Sequence, residues 1–202
     1  NWHVVEPVIN FGRMIIPVDP VEIKVYVNSG SADVVILKAR VVAVDRVRDI
    51  AILAADTKKK VPFITLGVAD NLFETAPVWV FGFPMGDLFS VMARGPEISV
   101  NGGTVTALRH DDRGGLNLIQ TDAMFSPGSS GGALVGASGK ALGIPARIIP
   151  SSRINLAIPS AFIGKLMAEV PLGKPPSATA SVRFQPSPAG AKLFVDGRDL
   201  GT

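Results

Sequence analysis

One serine of the sequence has surroundings that suit nucleophilic chemistry. Ser130 lies in the run PGSSGG, residues 127–132, directly before the apolar segment Ala133–Val135. A serine becomes a nucleophile when a neighbouring base takes its proton, and backbone N–H groups stabilise the oxyanion that forms on attack. Because glycine tolerates positive φ, such a turn can direct successive N–H groups into one small hole. A hairpin turn with incidental serines would have the same composition, and these six residues alone leave both interpretations open.

The longer segment around Ser130 favours catalysis. From Thr121 to Ile144 the sequence is TDAMFSPGSSGGALVGASGKALGI. This segment resembles the nucleophile region of trypsin-like serine proteases, and among them that of the cysteine-free HtrA/Deg group, in which Thr-Asp-Ala precedes Pro-Gly-Asn-Ser-Gly-Gly-Ala-Leu. Ser129 replaces the asparagine, a small polar exchange that leaves the backbone donors intact. The resemblance implies that Ser130 is the nucleophile and that the N–H groups of Gly128 and Ser130 form its oxyanion hole.

Two upstream motifs extend the resemblance, in the chain order His, Asp, Ser. The segment NWHVV around His3 resembles Thr-Asn-Ala-His-Val-Val of that group, with Trp2 in place of alanine, and RDIAIL around Asp49 resembles its Asp-Ile-Ala-Leu-Leu segment. In such a triad a histidine takes the serine proton, and a buried carboxylate holds the imidazole tautomer and stabilises the imidazolium. The resemblance therefore implies that His3 is the general base and that Asp49 orients it, with no cofactor.

Other titratable residues fit this chemistry less well. His110 lies in the charged run RHDDRGG, which is typical of a solvated hairpin tip. Asp45 is interpreted as a turn residue before an apolar strand, and Asp122 as a structural carboxylate. Neither histidine of the sequence has metal-ligand neighbours at helical or hairpin spacing, so no metal site is predicted.

The resemblance outlines a substrate preference. In trypsin-like enzymes the base of the primary pocket is set six residues before the nucleophile, which here is Met124. Methionine offers no counter-charge for Arg or Lys, so the resemblance implies cleavage after small or medium aliphatic residues. Ala146 and Arg147 fall on the strand with which the family pairs substrate backbone, a form of strand addition. Met124 and Ala146 are therefore expected to line the substrate pocket.

Composition excludes several classes of protein. The chain has 202 residues, and its 47% apolar content can offset the entropy of folding, so it is not a disordered chain. The absence of cysteine excludes a disulfide scaffold and any cysteine-based site. The net charge is only +3, and the one run of basic residues is Lys58–Lys60. Nucleic acid is therefore not a predicted partner. No apolar run reaches the roughly 18 residues of a membrane-spanning helix.

A largely β structure must position these residues. Short runs of Val, Ile and Leu alternate with Gly, Pro, Asn and Asp, which predicts an antiparallel sandwich or barrel. The predicted strands are Glu22–Val27, Val34–Leu37, Arg40–Val44, Ile50–Ala54, Pro77–Phe83, Glu97–Leu108, Leu116–Gln120, Gly132–Val135, Ala141–Ile149 and Ile154–Ile158. One helix is predicted after Pro159, with Ser160 as its N-cap and Pro171 beyond its end.

The resemblance turns this pattern into a specific fold. It implies an all-β, chymotrypsin-like double β-barrel over residues 1–170, with the site in the cleft between the barrels and a short C-terminal helix. The segment Phe81–Gly86 also resembles the Gly-Asn-Pro-Phe-Gly loop of HtrA-like domains. The family has about two strands before its histidine, so the first barrel is expected to be incomplete at its N-terminus. Any signal or anchor would lie upstream, and an exported protein of the periplasm or cell envelope is expected.

The composition changes after the predicted helix. Residues 171–180, PLGKPPSATA, are typical of an inter-domain linker. Residues 181–202 then show a strand, turn, strand pattern and resemble the opening of a PEGA-type β domain, a kind associated with cell-surface proteins. The Val-Asp-Gly-Arg within this tail would equally suit an ordinary hairpin turn. The predicted organisation is a protease domain over 1–170, a linker over 171–180 and a partial PEGA-like domain over 181–202.

Three functions remain in competition. The first is a serine endopeptidase that cleaves unfolded or misfolded polypeptides in protein quality control. Such an enzyme could form a homo-oligomer or bind a cell-surface partner. The second is a catalytically inactive protease-fold module that acts as a peptide-binding or cell-surface scaffold. A carbohydrate-binding surface protein with a protease relic is a third reading. Reaction of Ser130 with a serine-directed phosphonate distinguishes the enzyme from the scaffold.

Overall fold

The computed structural model describes residues 22–55, 57, 61–68, 72–84 and 95–170, and the backbone of four short strands outside these ranges. Its strands are β1 (Val8–Phe11), β2 (Met14–Pro17), β3 (Ile23–Val27), β4 (Val35–Asp45), β5 (Ile50–Ala55), β6 (Pro77–Gly82), β7 (Ser99–His110), β8 (Leu116–Thr121), β9 (Ala133–Gly136), β10 (Ala141–Ile148), β11 (Asn155–Pro159), β12 (Phe194–Val195) and β13 (Arg198–Asp199). Helix α1 covers Ser160–Ala168. His3, the run Lys58–Lys60, Met85 and Gly86 of the predicted loop, and the predicted linker lie outside the described residues.

Six strands close into an antiparallel barrel in the order β10-β11-β8-β7-β6-β9. Its strands alternate as a half-buried sheet requires: in β6, Val78 and Val80 are buried while Pro77 and Trp79 are exposed. The inward-facing side chains form one apolar core, whose members are Ala76, Val78, Val80, Val105, Ile119, Ala123, Phe125, Leu134, Leu142 and Ala157. The barrel is the rigid element that carries the predicted nucleophile.

A separate three-stranded sheet, in the order β3-β4-β5, carries the predicted triad aspartate. Two of the predicted strands, Val34–Leu37 and Arg40–Val44, are a single strand here, so the predicted turn between them is wrong. The reason is alternation: Lys38 and Arg40 are exposed on one face while Ala39 between them is half-buried, so the charged residues occupy the solvent side of a continuous strand. This central strand pairs with both neighbours.

Helix α1 joins the sheet to the barrel. It contacts β4 and β5 on one side and β10 and β11 on the other. Its Leu166 forms a second apolar cluster with Ile50 of the sheet and Ile158 of the barrel. Ser160 does not cap the helix as predicted: the cap position is Pro159, and the buried Ser160 hydroxyl donates to the Gly67 carbonyl at 2.6 Å.

The remaining described strands form two short pairs. β1 pairs with β2, a hairpin that the sequence analysis did not predict, and β12 pairs with β13 in the C-terminal tail. Within the residues that can be described, no helix is long and apolar enough to cross a membrane. The predicted all-β class with one short helix is confirmed, and the tail outside β12 and β13 lies beyond the description.

Candidate active site

The nucleophile candidate lies on a tight turn between β8 and β9. Gly128 and Gly131 flank it with φ angles of 95° and 85°, in the left-handed region that favours glycine. The Ser129 N–H donates to the Ser126 carbonyl at 2.8 Å, and the Gly132 N–H donates to the Ser129 carbonyl at 3.0 Å. These bonds fix the backbone, while Ser130 itself is exposed. The turn therefore presents the Ser130 side chain outward from a constrained backbone.

Ser129, adjacent in sequence, has the opposite environment. It is 1% exposed, and its hydroxyl accepts a hydrogen bond from the Ser126 N–H at 3.0 Å. The serine that replaces the family's asparagine therefore forms a hydrogen bond within the turn. Sequence reasoning treated Ser129 as a neutral exchange and missed this bond, although adjacent polar residues in a Gly-rich turn often bond to nearby backbone.

The nucleophile turn packs closely against the backbone at the end of β6 at two glycines. A Cβ atom at Gly132 would overlap the Phe81 carbonyl oxygen, so no side chain fits there. At the end of β6, a Cβ atom at Gly82 would lie 2.9 Å from the Ser129 Cα. The glycines in the sequence indicate that close contacts are possible here, but they do not indicate which segments come into contact.

Two backbone donors lie next to the Ser130 hydroxyl in the turn. Among the residues that the structure describes, none accepts a hydrogen bond from the N–H of Gly128 or from that of Ser130. Both residues are exposed. Their N–H groups are therefore accessible to a ligand and can donate to an anionic oxygen, as the donors of an oxyanion hole do.

The strand before the turn is fixed by a polar network. Asp122 accepts hydrogen bonds from the N–H and the hydroxyl of Thr104, at 2.6 and 3.2 Å. The Thr121 hydroxyl donates to the Thr104 carbonyl at 2.7 Å and accepts from the Ala123 N–H at 3.0 Å. The buried Asn155 amide donates to the Ala123 carbonyl at 3.0 Å. Asp122 thus acts as a structural carboxylate at the base of the loop that leads to Ser130.

Asp49 lies in the turn between β4 and β5, directly before the buried Ile50. Its φ is 57°, an unusual value for a residue with a side chain. Its side chain is half-buried. Asp45, interpreted from the sequence as a turn residue, is instead the last residue of β4 and pairs with Ile50. Its carboxylate accepts hydrogen bonds from the Arg48 N–H at 2.9 Å and from the Arg48 guanidinium at 2.8 Å.

The Asp45 carboxyl is shifted by this environment. Burial raises its pKa, but the hydrogen bonds from the Arg48 side chain and backbone, the Arg48 charge and the Val47 backbone together outweigh burial and bring the pKa below its usual range. Asp45 is therefore a charged, paired residue that organises the turn containing Asp49.

The structure brings the Asp49 turn and the Ser130 turn to one junction. Ile50 belongs to the apolar cluster against which Ala146 of β10 packs. The residue before Ala146, Pro145, accepts a hydrogen bond from the Gly131 N–H at 3.2 Å. Two of the three predicted triad residues are thus carried by elements that meet at β10, and His3 lies outside the described residues.

Comparison with known proteins settles the family. The trypsin-like peptidase domain family matches residues 1–144 of the chain. The chain belongs to this family. Its relatives include Protease Do-like 1, chloroplastic, of Arabidopsis thaliana, which is 30% identical over 178 residues, 82% of this chain and 38% of the relative. Serine protease HTRA1 of Xenopus laevis is 34% identical over 131 residues, 65% of this chain and 28% of the relative. The chain therefore spans well under half the length of these relatives.

Solved structures agree with this assignment. The HtrA-type protease AlgW, a variant described with a tripeptide, matches with a TM-score of 0.58 and 30% identity over 73% of this chain and 47% of its own. Deg5 matches with a TM-score of 0.58 over 71% of this chain and 66% of its own, and at 23% identity it shows the fold alone. The predicted chymotrypsin-like fold is confirmed.

Among the pocket residues expected for this family, Ala146 lies in a β-bulge. The register of β10 against β11 shifts between Pro145 and Arg147, which places Ala146 at the irregular point of the strand. Met124 lies in the loop between the buried Ala123 and Phe125, and its own side chain is 63% exposed. Both residues are therefore on the part of the peptidase domain that also carries Ser130.

The competing histidine belongs to the hairpin of β7 and β8. His110 is exposed at the end of β7. The turn that follows it is closed by Asp111, which accepts hydrogen bonds from the Arg113 and Gly115 N–H groups at 2.9 and 2.8 Å. Within the described ranges, no three His, Asp or Glu side chains are grouped so as to hold a metal ion.

Proposed function

We propose that this protein is a serine endopeptidase that cleaves unfolded or misfolded polypeptides through an acyl-enzyme intermediate. The observation that carries the proposal is the turn around Ser130. An exposed hydroxyl stands beside two backbone N–H groups, of Gly128 and Ser130, that no described residue uses. Positive-φ glycines on either side hold those donors in place. Together these features match what a serine nucleophile and its oxyanion hole require.

The proposed reaction uses Ser130, the two N–H groups and the upstream residues His3 and Asp49. The Ser130 Oγ attacks the scissile carbonyl carbon while His3 takes its proton, and the oxygen that becomes negative is stabilised by the Gly128 and Ser130 N–H groups. Collapse of this intermediate breaks the C–N bond, and His3 returns the proton to the leaving amine. Water then attacks the acyl ester with His3 again as base, which releases the acid and regenerates Ser130. Asp49 holds His3 in the tautomer that accepts the Ser130 proton and stabilises its charged form.

The relatives support this class of substrate. Several are named serine proteases, among them Serine protease Do-like HtrA of Lactococcus lactis subsp. lactis (strain IL1403), 30% identical over 152 residues, 69% of this chain and 37% of the relative. The AlgW structure is described with a tripeptide, which is a ligand of the kind proposed here. Strand β9 pairs with β10 only at Ala141 and Gly143, so among the described residues the later part of β10 pairs with no strand on that side. This stretch of backbone, next to the nucleophile turn, is where an extended peptide could add as a strand.

Hydrolysis of an unfolded protein tests the proposal. Fluorescein-labelled β-casein is the probe, and the Ser130→Ala variant is expected to lower kcat by about 10⁴- to 10⁶-fold without loss of folding. Ser138→Ala is the matched control, because Ser138 is an exposed serine of the β9–β10 turn and should leave the rate unchanged. Equal hydrolysis by the Ser130→Ala variant and the unsubstituted protein would refute the assignment and favour a non-catalytic peptide-binding module.

A further inference from the structure

We propose that Asp45, Arg48 and Phe162 are positioning residues that clamp the Asp49 turn onto helix α1. The inference rests on the proposed function, because Asp49 matters to the reaction only as the group that orients His3. It goes beyond that function by assigning roles to three residues outside the triad, one of them on the helix that closes the peptidase domain.

The first half of the clamp is within the turn. Asp45 accepts a hydrogen bond from the Arg48 backbone N–H at 2.9 Å with one carboxylate oxygen and pairs with the Arg48 guanidinium at 2.8 Å with the other. One carboxylate therefore fixes both the backbone and the side chain of the residue immediately before Asp49. A charged acceptor makes each of these bonds stronger than its neutral equivalent.

The second half joins the turn to the helix. The Arg48 guanidinium carbon lies 4.4 Å from the centre of the Phe162 ring, within the range of a cation–π contact. The helix that carries Phe162 is itself fixed, since Leu166 is buried in the cluster with Ile50 and Ile158 and the Ser160 hydroxyl is bonded to the Gly67 carbonyl. Arg48 therefore contacts a rigid surface.

The contact spans a gap that apolar packing does not fill. A cleft of about 110 Å³ separates the turn from the helix, lined by Asp45, Arg48, Phe162, Lys165, Leu166 and Glu169. Across this cleft the Arg48–Phe162 stack is a direct bridge between the two elements. The stack therefore adds a second contact between the turn and this side of the domain to the burial of Ile50.

Asp49 has a left-handed backbone conformation, with a φ of 57°. This region is disfavoured for residues with a Cβ atom, although aspartate adopts it more readily than most, and the neighbouring residues help to hold it. Here both neighbours are fixed, Ile50 by burial at 1% exposure and Arg48 by the clamp. Since an orienting carboxylate must be held to within about 0.5 Å of its productive position, relaxation of this turn should reach His3.

Four variants test the clamp. Arg48→Met removes the cation and keeps the apolar stem, and Phe162→Leu removes the ring. Both are expected to lower kcat on fluorescein-labelled β-casein by about 10- to 100-fold with KM unchanged, and to move the acidic limb of the pH–rate profile to lower pH, because a displaced carboxylate stabilises the imidazolium less. Phe162→Tyr keeps the π face and should restore the rate. Lys165→Met is the matched control: it removes a cation 5.6 Å from the same ring centre that belongs to the helix itself, and should change nothing.

Each outcome decides the proposal. If Arg48→Met and Phe162→Leu lower the unfolding temperature but leave kcat and the pH profile unchanged well below that temperature, the residues are merely structural and the proposal is overturned. A change in KM alone, or an equal effect of Lys165→Met, overturns it as well. If Phe162→Leu does not fold, Arg48→Met decides, because the Arg48 side chain is 43% exposed and tolerates substitution. Failure of the proposed function is distinguishable, since the unsubstituted protein would then hydrolyse casein no faster than its Ser130→Ala variant.

Discussion

Gly82 lies directly against the backbone of Ser129, so closely that a Cβ atom at Gly82 would be 2.9 Å from the Ser129 Cα. The end of β6 and the nucleophile turn therefore share one packed surface. Neither segment can shift without the other, which connects a glycine about fifty positions upstream to the backbone donors beside Ser130. A substitution at Gly82 should therefore also affect the proposed reaction at Ser130.

Gly82→Ala is expected to be costly to both stability and activity. The added methyl must push the Ser129 backbone away, at about 1–3 kcal/mol, and the displaced turn should lower kcat by misplacing the Gly128 and Ser130 N–H groups. Urea unfolding and casein hydrolysis measure the two effects. Gly164→Ala is the control, because a Cβ atom at Gly164 meets nothing within 4 Å. Alanine in a helix should raise the free energy of unfolding by about 0.5–1 kcal/mol and leave the activity unchanged. Wild-type kcat in the Gly82→Ala variant would contradict this prediction.

The Asp45–Arg48 pair predicts a pH-dependent contribution to stability. The folded-state pKa of Asp45 lies below its usual value of about 3.9, so the pair stabilises the fold above about pH 4 and the contribution is lost as the pH falls through the folded-state pKa. Asp45→Asn should therefore lower the free energy of unfolding by about 0.5–1 kcal/mol at neutral pH and by progressively less in acid. Urea unfolding across this pH range measures the difference. Asp112→Asn, in the exposed turn after β7, is the control. A difference that does not shrink in acid would show that the charge of Asp45 is not what stabilises the turn.

Met124 predicts the substrate preference. A carboxylate at this position would provide the counter-charge that methionine lacks, so Met124→Asp should shift kcat/KM towards cleavage after Arg or Lys by about 10- to 100-fold relative to aliphatic residues. Mass spectrometry of casein fragments identifies the cleaved bonds. Met167→Asp introduces the same change at another exposed methionine, 53% exposed on α1, and should leave the cleavage sites unchanged. An unaltered fragment pattern in Met124→Asp would remove Met124 from the pocket.

The sequence predicted those parts of the molecule that depend on local pattern. Strands such as Pro77–Gly82 are found where residues alternate, and α1 begins where apolar residues return at helical spacing. The nucleophile turn was predictable because glycines at positive φ leave a compositional signal. The division of β4 was wrong: Val34–Leu37 and Arg40–Val44 were predicted as two strands, whereas Lys38 between them lies on the exposed face of one continuous strand.

The contacts that hold the site together could not be predicted in the same way. The approach of Gly82 to Ser129 and the stacking of Arg48 on Phe162 join residues that are 47 and 114 positions apart. No local pattern encodes such pairs, because they exist only after the barrel has closed and α1 has packed on both of its neighbours. Ser160 illustrates the same limit, since its hydroxyl bonds to Gly67 rather than to the start of its own helix.

Labelling with a fluorophosphonate tests most directly whether Ser130 is an activated nucleophile. The protein is treated with the reagent and digested, and the adduct is located by mass spectrometry. We expect a single adduct at Ser130 and none at the adjacent Ser129, whose hydroxyl is buried and bonded to the Ser126 N–H. The reaction should be slower in Asp49→Asn, because His3 loses its orienting group. No adduct at Ser130, or equal labelling of the exposed Ser138, would contradict this assignment.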